Sequence, residues 1–77
     1  MTGPVIGRIR VSLDRRQVIF LRFLIEGYEG LATTTTVDPW ASIVDLHVPL
    51  DRMNELRDLL TAERDQLGIF KIEQGVP

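Results

Sequence analysis

The chain has 77 residues, of which 44% are hydrophobic and 26% are charged, and its formal net charge at pH 7 is -2. This composition is typical of a folded globular domain and excludes the polar, highly charged class of disordered chains. We expect one domain over residues 1–77, with an ordered core at about 7–74, small enough that burial against a partner chain would add to its stability. The acidic balance argues against a nucleic-acid-binding protein.

Cysteine is absent, which excludes disulfide bridges, thiolate metal sites and cysteine nucleophiles. The N-terminal stretch MTGPVIGRIRVSL has neither the apolar run nor the small-residue cleavage signal of a secretory peptide, and no stretch reaches membrane-spanning length. We therefore expect a cytoplasmic protein that does not contact a membrane.

The first predicted elements are a strand and a helix. Residues 7–13, GRIRVSL, alternate in polarity and predict a strand with one apolar face, formed by Ile9, Val11 and Leu13. Asp14 is the predicted N-cap of a helix over 14–27, with Gln17 at the capping-box position. Gly27 is predicted to end this helix in a left-handed conformation.

The rest of the chain predicts three more strands and a second helix. Residues 31–37, LATTTTV, form strand two, and Asp38 followed by Pro39 favours a turn. Residues 42–48 form strand three, which presents Val44, Leu46 and Val48 on one face and Ile43, Asp45 and His47 on the other. A helix over 51–67 ends at Gly68 and leads into strand four at 69–74.

The order of these elements predicts an α+β fold, the two-layer ferredoxin-like plait with βαββαβ connectivity. Its four-stranded antiparallel sheet would have the order 4-1-3-2, with both helices on one face. The turn at 38–40 and the start of helix one would then lie at one end of the sheet. The stretch 27–30 and the start of helix two would lie at the other.

Helix one is more apolar than a helix covered on one side needs to be. The additional apolar positions are Ile19, Phe20 and Phe23. Strand two lies at a sheet edge in the predicted order and has no lysine or internal proline to prevent pairing with another strand. We therefore expect a homodimer whose interface uses Phe20 and Phe23 of helix one, Thr34 and Thr36 of strand two, or both.

A candidate ligand site comprises Asp14, Arg15, Arg16, Asp38 and Trp40. Arginines beside a helix N-terminus can hold a carboxylate or a phosphate, although Asp14 as a cap would occupy the same N–H groups. The alternative interpretation is a pair of solvated arginines. Trp40 either folds over the hairpin or anchors in a pocket of a protein partner.

His47 is the only histidine, and Asp45 lies on the same face of strand three. No nucleophile accompanies the pair, and two side chains are too few for a structural metal site. We predict no catalytic residue, no metal and no cofactor, and a solvated sheet face on which Arg8 and Arg10 pair with carboxylates.

The motif EGYEG at 26–30, the DP pair at 38–39 and LDR at 50–52 resemble a family of short, single-domain bacterial proteins of unknown function. The resemblance covers nearly the whole chain and implies no particular activity. The architecture is also loosely similar to ACT domains, which bind amino acids between paired domains. The chain departs from ACT domains in its first strand-to-helix loop, SLDRR, which has no glycine.

These observations favour a non-enzymatic, homo-oligomeric regulatory or protein-interaction module. One alternative is an ACT-like sensor that binds an amino acid or another anion between subunits at the candidate ligand site. A second alternative is a small enzyme centred on His47.

Overall fold

The computed structural model describes residues 6–75. It contains four strands, which are β1 (Ile6–Ser12), β2 (Thr33–Asp38), β3 (Ile43–Pro49) and β4 (Lys71–Gly75). It also contains three helices, which are α1 (Val18–Glu26), α2 (Met53–Ala62) and α3 (Arg64–Leu67). Single 3₁₀ turns precede the first two helices, at Arg15–Gln17 and Leu50–Arg52. None of these helices is both long enough and apolar enough to cross a membrane.

The strands form one antiparallel sheet with the order β2-β3-β1-β4. Read from the β4 edge, this order is 4-1-3-2. In the register of the two central strands, Ile9 lies opposite Leu46 and Val11 lies opposite Val44. Because side chains alternate along a strand, these four residues share one face of the sheet.

Both main helices cover that same face. Their buried residues join the apolar strand residues in one core cluster, which includes Leu21 and Ile25 of α1 and Met53, Leu56 and Leu60 of α2. The opposite face carries Arg8, Arg10, Asp45 and His47, and none of the helices described above packs on it. The α+β class and the two-layer arrangement predicted from the sequence are therefore present.

The start of helix one differs from the prediction in its local geometry. Asp14 is an N-cap, and its Oδ1 accepts a hydrogen bond from the backbone N–H of Arg16 at 2.9 Å, but the turn that it caps is a 3₁₀ turn. The backbone N–H of Asp14 donates to the carbonyl of Gly68 at 3.0 Å. The backbone N–H that the Gln17 side chain would bind in a capping box is therefore already bonded to Gly68. Gln17 makes no side-chain capping hydrogen bond.

Two details of the predicted helices were wrong, namely the left-handed conformation of Gly27 and the continuity of the second helix. Gly27 has φ -71° and is right-handed, whereas Gly30, three residues later, has φ 70°. The chain makes another turn through Tyr28 before it reverses, since the N–H of Tyr28 still donates to the carbonyl of Ile25. The helix predicted over 51–67 is interrupted at Glu63, although Gly68 ends it in the left-handed conformation, with φ 64°.

Candidate functional site

Helix α1 exposes a large apolar surface, which we call the helix-one face and define as Ile19, Phe20 and Phe23. These side chains are 50%, 58% and 61% exposed. Leu21 and Ile25 point into the core, and at 100° per residue Phe23 lies on the side of the helix opposite to them. A helix that is apolar all round is normally buried all round. Among residues 6–75, no element covers the helix-one face.

A groove of about 420 Å³ adjoins this face, between α1 and α3. Its walls combine apolar side chains with polar ones, namely Gln17, Phe20, Leu24, Glu63, Gln66 and Leu67. Phe20 belongs both to the groove and to the helix-one face. Phe20 therefore borders a concave surface, into which an apolar side chain of another molecule could pack.

Two charged residues flank the helix-one face. Arg22 and Glu26 are both exposed and lie four residues apart on α1, on the same side of the helix. Neither takes part in an ion pair among residues 6–75. Their charges are therefore available to a second molecule.

The second predicted interface region, strand β2, lies at the edge of the sheet. Thr34 and Thr36 pair in register with Leu46 and Val44 of β3, so both threonines project toward the helical side. The register then shifts between Thr36 and Asp38. Such a bulge twists an edge strand and shortens the length that can pair with another strand. Strand β2 can therefore pair with another strand only over a short length.

The predicted ligand site is assembled at one end of the sheet. The guanidinium of Arg15 lies over the ring of Trp40, 5.1 Å from its centroid. The carboxylate of Asp38 accepts hydrogen bonds from the backbone N–H groups of Trp40, at 3.0 Å, and Ala41, at 3.1 Å. Asp38 thus holds the turn that presents Trp40, whose side chain is 80% exposed.

Two of the predicted ligand residues, Asp14 and Arg16, form an ion pair with each other. Arg16 binds Asp14 through its side chain, with Nη2 3.1 Å from Oδ2, and this bond together with the backbone N–H lowers the pKa of Asp14. The same bond raises the pKa of Arg16. The helix N-terminus is therefore capped by Asp14, and of the two arginines only Arg15 has no carboxylate partner among residues 6–75.

The sheet face opposite the helices contains the most buried ion pair among residues 6–75. Arg10 donates to both carboxylate oxygens of Asp45, at 2.7 and 3.1 Å, and the Asp45 side chain is only 8% exposed. These hydrogen bonds lower the pKa of Asp45 against the opposing effect of burial, and the positive charges of Arg10 and Arg8 lower it further. At the sheet edge Lys71 pairs with Glu73 at 3.1 Å. The predicted pairing of Arg10 with a carboxylate is present, whereas Arg8, for which a carboxylate partner was also predicted, has none within ion-pair distance among residues 6–75.

Asp45 is engaged by Arg10 and so does not orient His47 as a catalytic base would require. In the part of the chain that the structure describes, no group of three or more histidine, aspartate or glutamate side chains is placed to hold a metal ion.

Sequence reasoning missed a second groove, also of about 420 Å³, at the other end of the sheet. It is lined by Ile6, Gly30, Ala32, Thr33, His47 and Pro49. The signal available in the sequence was the alternation of strand three, which places His47 and Pro49 on one face. Ile6 lay outside the predicted first strand, so the apolar part of this groove was not recognised.

Comparison with known proteins identifies the family. A family model described as a domain of unknown function, DUF4911, matches residues 11–66. The match covers most of the chain, and the chain therefore belongs to this family, in agreement with the resemblance noted in its sequence. No curated protein and no solved structure matches the chain significantly.

Proposed function

We propose that this member of the DUF4911 family is a non-enzymatic regulatory or protein-interaction module that acts as a homodimer through the helix-one face. The observation that carries the proposal is the exposure of Ile19, Phe20 and Phe23, each at least half exposed, on the side of α1 opposite the core.

Burial of this face would add substantially to the stability of so small a domain. Complete burial of a phenylalanine is favourable by about 1.5–3 kcal/mol, so covering the exposed part of Phe20 or Phe23 contributes about 0.9–1.8 kcal/mol each. At a symmetric interface both copies bury the same side chains, so the free energy gained from burial is doubled. A domain of this length has a small core, and partner burial of this size is a large fraction of the stability expected of it.

A second copy of the chain suits the surface because its charges are self-complementary. Arg22 and Glu26 flank the helix-one face, one turn apart. If two α1 helices pair in antiparallel fashion about a two-fold axis, Arg22 of each copy lies toward Glu26 of the other. Within one helix the order arginine then glutamate is the less favourable orientation, which leaves both side chains available for this contact.

A charge-exchange experiment tests this arrangement. Arg22→Glu and Glu26→Arg each place like charges across the two-fold axis, and each should weaken dimerisation about threefold to tenfold in sedimentation velocity. The double variant restores opposite charges and should return the dimer to near wild-type affinity. Arg57→Glu, an exposed change on α2, is the matched control and should leave association unchanged. A double variant weaker than both single variants would contradict the antiparallel pairing.

The edge of β2 is the other surface that a homodimer could use, through Thr34 and Thr36. Thr36 is exposed, and a lysine there would repel a second strand without changing the core. If Thr36→Lys disrupts the dimer and Phe20→Asp does not, the interface is the strand edge and not the helix. The bulge after Thr36 favours the helix-one face.

A second candidate function is an ACT-like sensor of an amino acid or another anion. The specific observation in its favour is Arg15, held over the Trp40 ring at an exposed position. A cation fixed on an aromatic surface can bind a carboxylate at small entropic cost. A thermal-shift screen of amino acids on wild type and Arg15→Gln tests it, since a ligand of this site raises the melting temperature of the wild type only.

A further inference from the structure

The groove between α1 and α3 and the charged residues Arg22 and Glu26 lie on opposite flanks of the helix-one face. At 100° per residue, Phe20 and Leu24, which line the groove, lie about 60° and 100° to one side of Phe23. Arg22 and Glu26 lie about 100° and 60° to the other side. A helix that covers Phe23 therefore meets charges along one flank and a concave surface along the other.

The two charged residues determine the register of the antiparallel helix pair proposed above. Arg22 of one copy lies beside Glu26 of the other if the two-fold axis passes near Leu24, which is midway between them in the sequence. Each residue then lies opposite the residue that is equally far from Leu24 in the other direction. Phe20, four residues before Leu24, comes opposite Tyr28 of the second copy, four residues after it.

Tyr28 lies on the groove flank of the helix and is accessible. The chain still follows the helical path there, because Gly27 is right-handed and the N–H of Tyr28 donates to the carbonyl of Ile25 at 3.1 Å. At 100° per residue Tyr28 lies about 40° from Leu24, and its side chain is 43% exposed. A two-fold axis perpendicular to the plane of both helices keeps this flank on the same side in each copy. Tyr28 of one copy therefore faces the groove of the other.

The groove offers both kinds of contact that a tyrosine side chain needs when it is covered. Its apolar walls are Phe20, Leu24 and Leu67, and its polar groups are Gln17, Glu63 and Gln66. The carboxylate of Glu63 has no cation partner among residues 6–75, so it is able to accept a hydrogen bond from a phenol hydroxyl. The ring would pack on the apolar walls while the hydroxyl meets a polar partner.

We propose that Tyr28 of each copy inserts into the groove between α1 and α3 of the other copy. Its ring packs against Phe20 and Leu67, and its hydroxyl is directed to Glu63 and Gln66. The contact depends on the homodimer proposed above and adds a reciprocal anchor to it, which occurs twice in each dimer by symmetry. An aromatic side chain seated in a pocket of the partner is a common form of interface hot spot.

Cross-linking tests the contact directly, because the chain has no cysteine of its own. Glu29→Cys, next to Tyr28, and Gln66→Cys are prepared separately, mixed in equal amounts and treated with bismaleimidoethane. Cross-linked dimer should form at least about tenfold faster than in a mixture of Glu29→Cys with Thr35→Cys, because the contact raises the effective concentration of the two thiols. Thr35 is the matched control, since it is exposed and pairs in register with Asp45 on the sheet face opposite the helices.

Sedimentation velocity measures the contribution of Tyr28 to the dimer. Tyr28→Phe should weaken dimerisation on the order of tenfold, because a hydrogen bond is lost on both sides of the interface. Tyr28→Ala should weaken it by about a hundredfold or more, because the packing of both rings is lost as well. Val37→Ala is the control. Val37 is 44% exposed, as Tyr28 is, but it lies on the edge strand β2, and the change should leave association unaltered.

The outcomes separate this contact from the homodimer on which it depends. A wild type that does not dimerise would overturn both. A wild-type dimer whose affinity is unchanged by Tyr28→Ala, or whose Glu29→Cys and Gln66→Cys variants cross-link no faster than the Thr35→Cys control, would overturn the Tyr28 contact and leave the homodimer standing. Dimerisation weakened as much by Val37→Ala as by Tyr28→Ala would also overturn the contact.

Discussion

The Arg10–Asp45 pair shows how a charged group is accommodated at the centre of a small sheet. Asp45 lies on a central strand, where its side chain is nearly buried, and two hydrogen bonds from Arg10 compensate for the lost hydration. Arg10 remains about one third exposed, which reduces the net contribution of the ion pair to the stability of the fold.

We expect Asp45→Ala to lower the free energy of unfolding by about 1–2 kcal/mol, because it removes a two-pronged charged hydrogen bond and leaves Arg10 without its partner. Urea denaturation at pH 7 measures this. Glu73→Gln, which removes the partly exposed partner of Lys71, should leave the midpoint nearly unchanged. Equal effects of the two changes would show that burial of Asp45 is unimportant.

The same pair predicts a pH dependence. Hydrogen bonding to Arg10 lowers the pKa of Asp45 in the folded state, so its stabilisation is present above the ordinary aspartate pKa and is lost as the pH falls through the lowered value. The stability difference between wild type and Asp45→Asn should therefore be constant near neutrality and shrink below about pH 4. Denaturation curves at several pH values decide this, and a difference that grows on acidification would contradict it.

The sequence predicted on which face of the sheet each strand residue lies. It did not predict which residue of the neighbouring strand each one pairs with. Alternation alone placed Val44 in the core and Asp45 on the other face, because strand geometry fixes the period at two. The identity of the cation bound to Asp45 depended on the register between β1 and β3, which a single strand does not encode. Arg8 and Arg10 were therefore equally plausible partners of Asp45 until the register was known.

At the scale of elements, the helix ends were the least predictable feature. Gly27 and Gly30 both follow helix one, and either could have been its left-handed residue. The choice depends on where the chain must re-enter the sheet, which is a property of the fold. The interruption of helix two at Glu63 had no local signal, because the apolar spacing from Met53 to Leu67 also suits one continuous helix and the break contains neither glycine nor proline.

Alanine substitutions distinguish these glycines. Gly27→Ala should be neutral or stabilise the fold by about 0.4–1 kcal/mol, since φ is right-handed and the added β-carbon lies 3.4 Å from its nearest neighbour. Gly30→Ala should destabilise it by about 1–2 kcal/mol, because an alanine at φ 70° is strained. Thermal unfolding of the two variants provides the comparison. If Gly27→Ala is the more damaging, the assigned helix end is incorrect.

At the scale of the molecule, the central question is what covers the helix-one face. The excess of apolar residues in α1 was visible in the sequence, and the structure shows that neither α2 nor α3 takes up that excess. Ile19, Phe20 and Phe23 remain exposed in the single chain. Large exposed apolar patches on soluble proteins mark interaction surfaces, and the flanking charges of opposite sign are the reason that we propose a second copy of the same chain as the partner.

Sedimentation equilibrium over a wide concentration range tests this claim most directly. The wild type should fit a monomer–dimer equilibrium, and Phe23→Asp should be monomeric at high micromolar concentration, because it places a charge at the centre of the proposed interface. Phe70→Asp is the control. Phe70 is 66% exposed, comparable to Phe23, and precedes β4, at the sheet edge opposite β2. The account predicts that Phe70→Asp dimerises as the wild type does. A wild type that stays monomeric throughout, or a Phe23→Asp variant that dimerises normally, would contradict it.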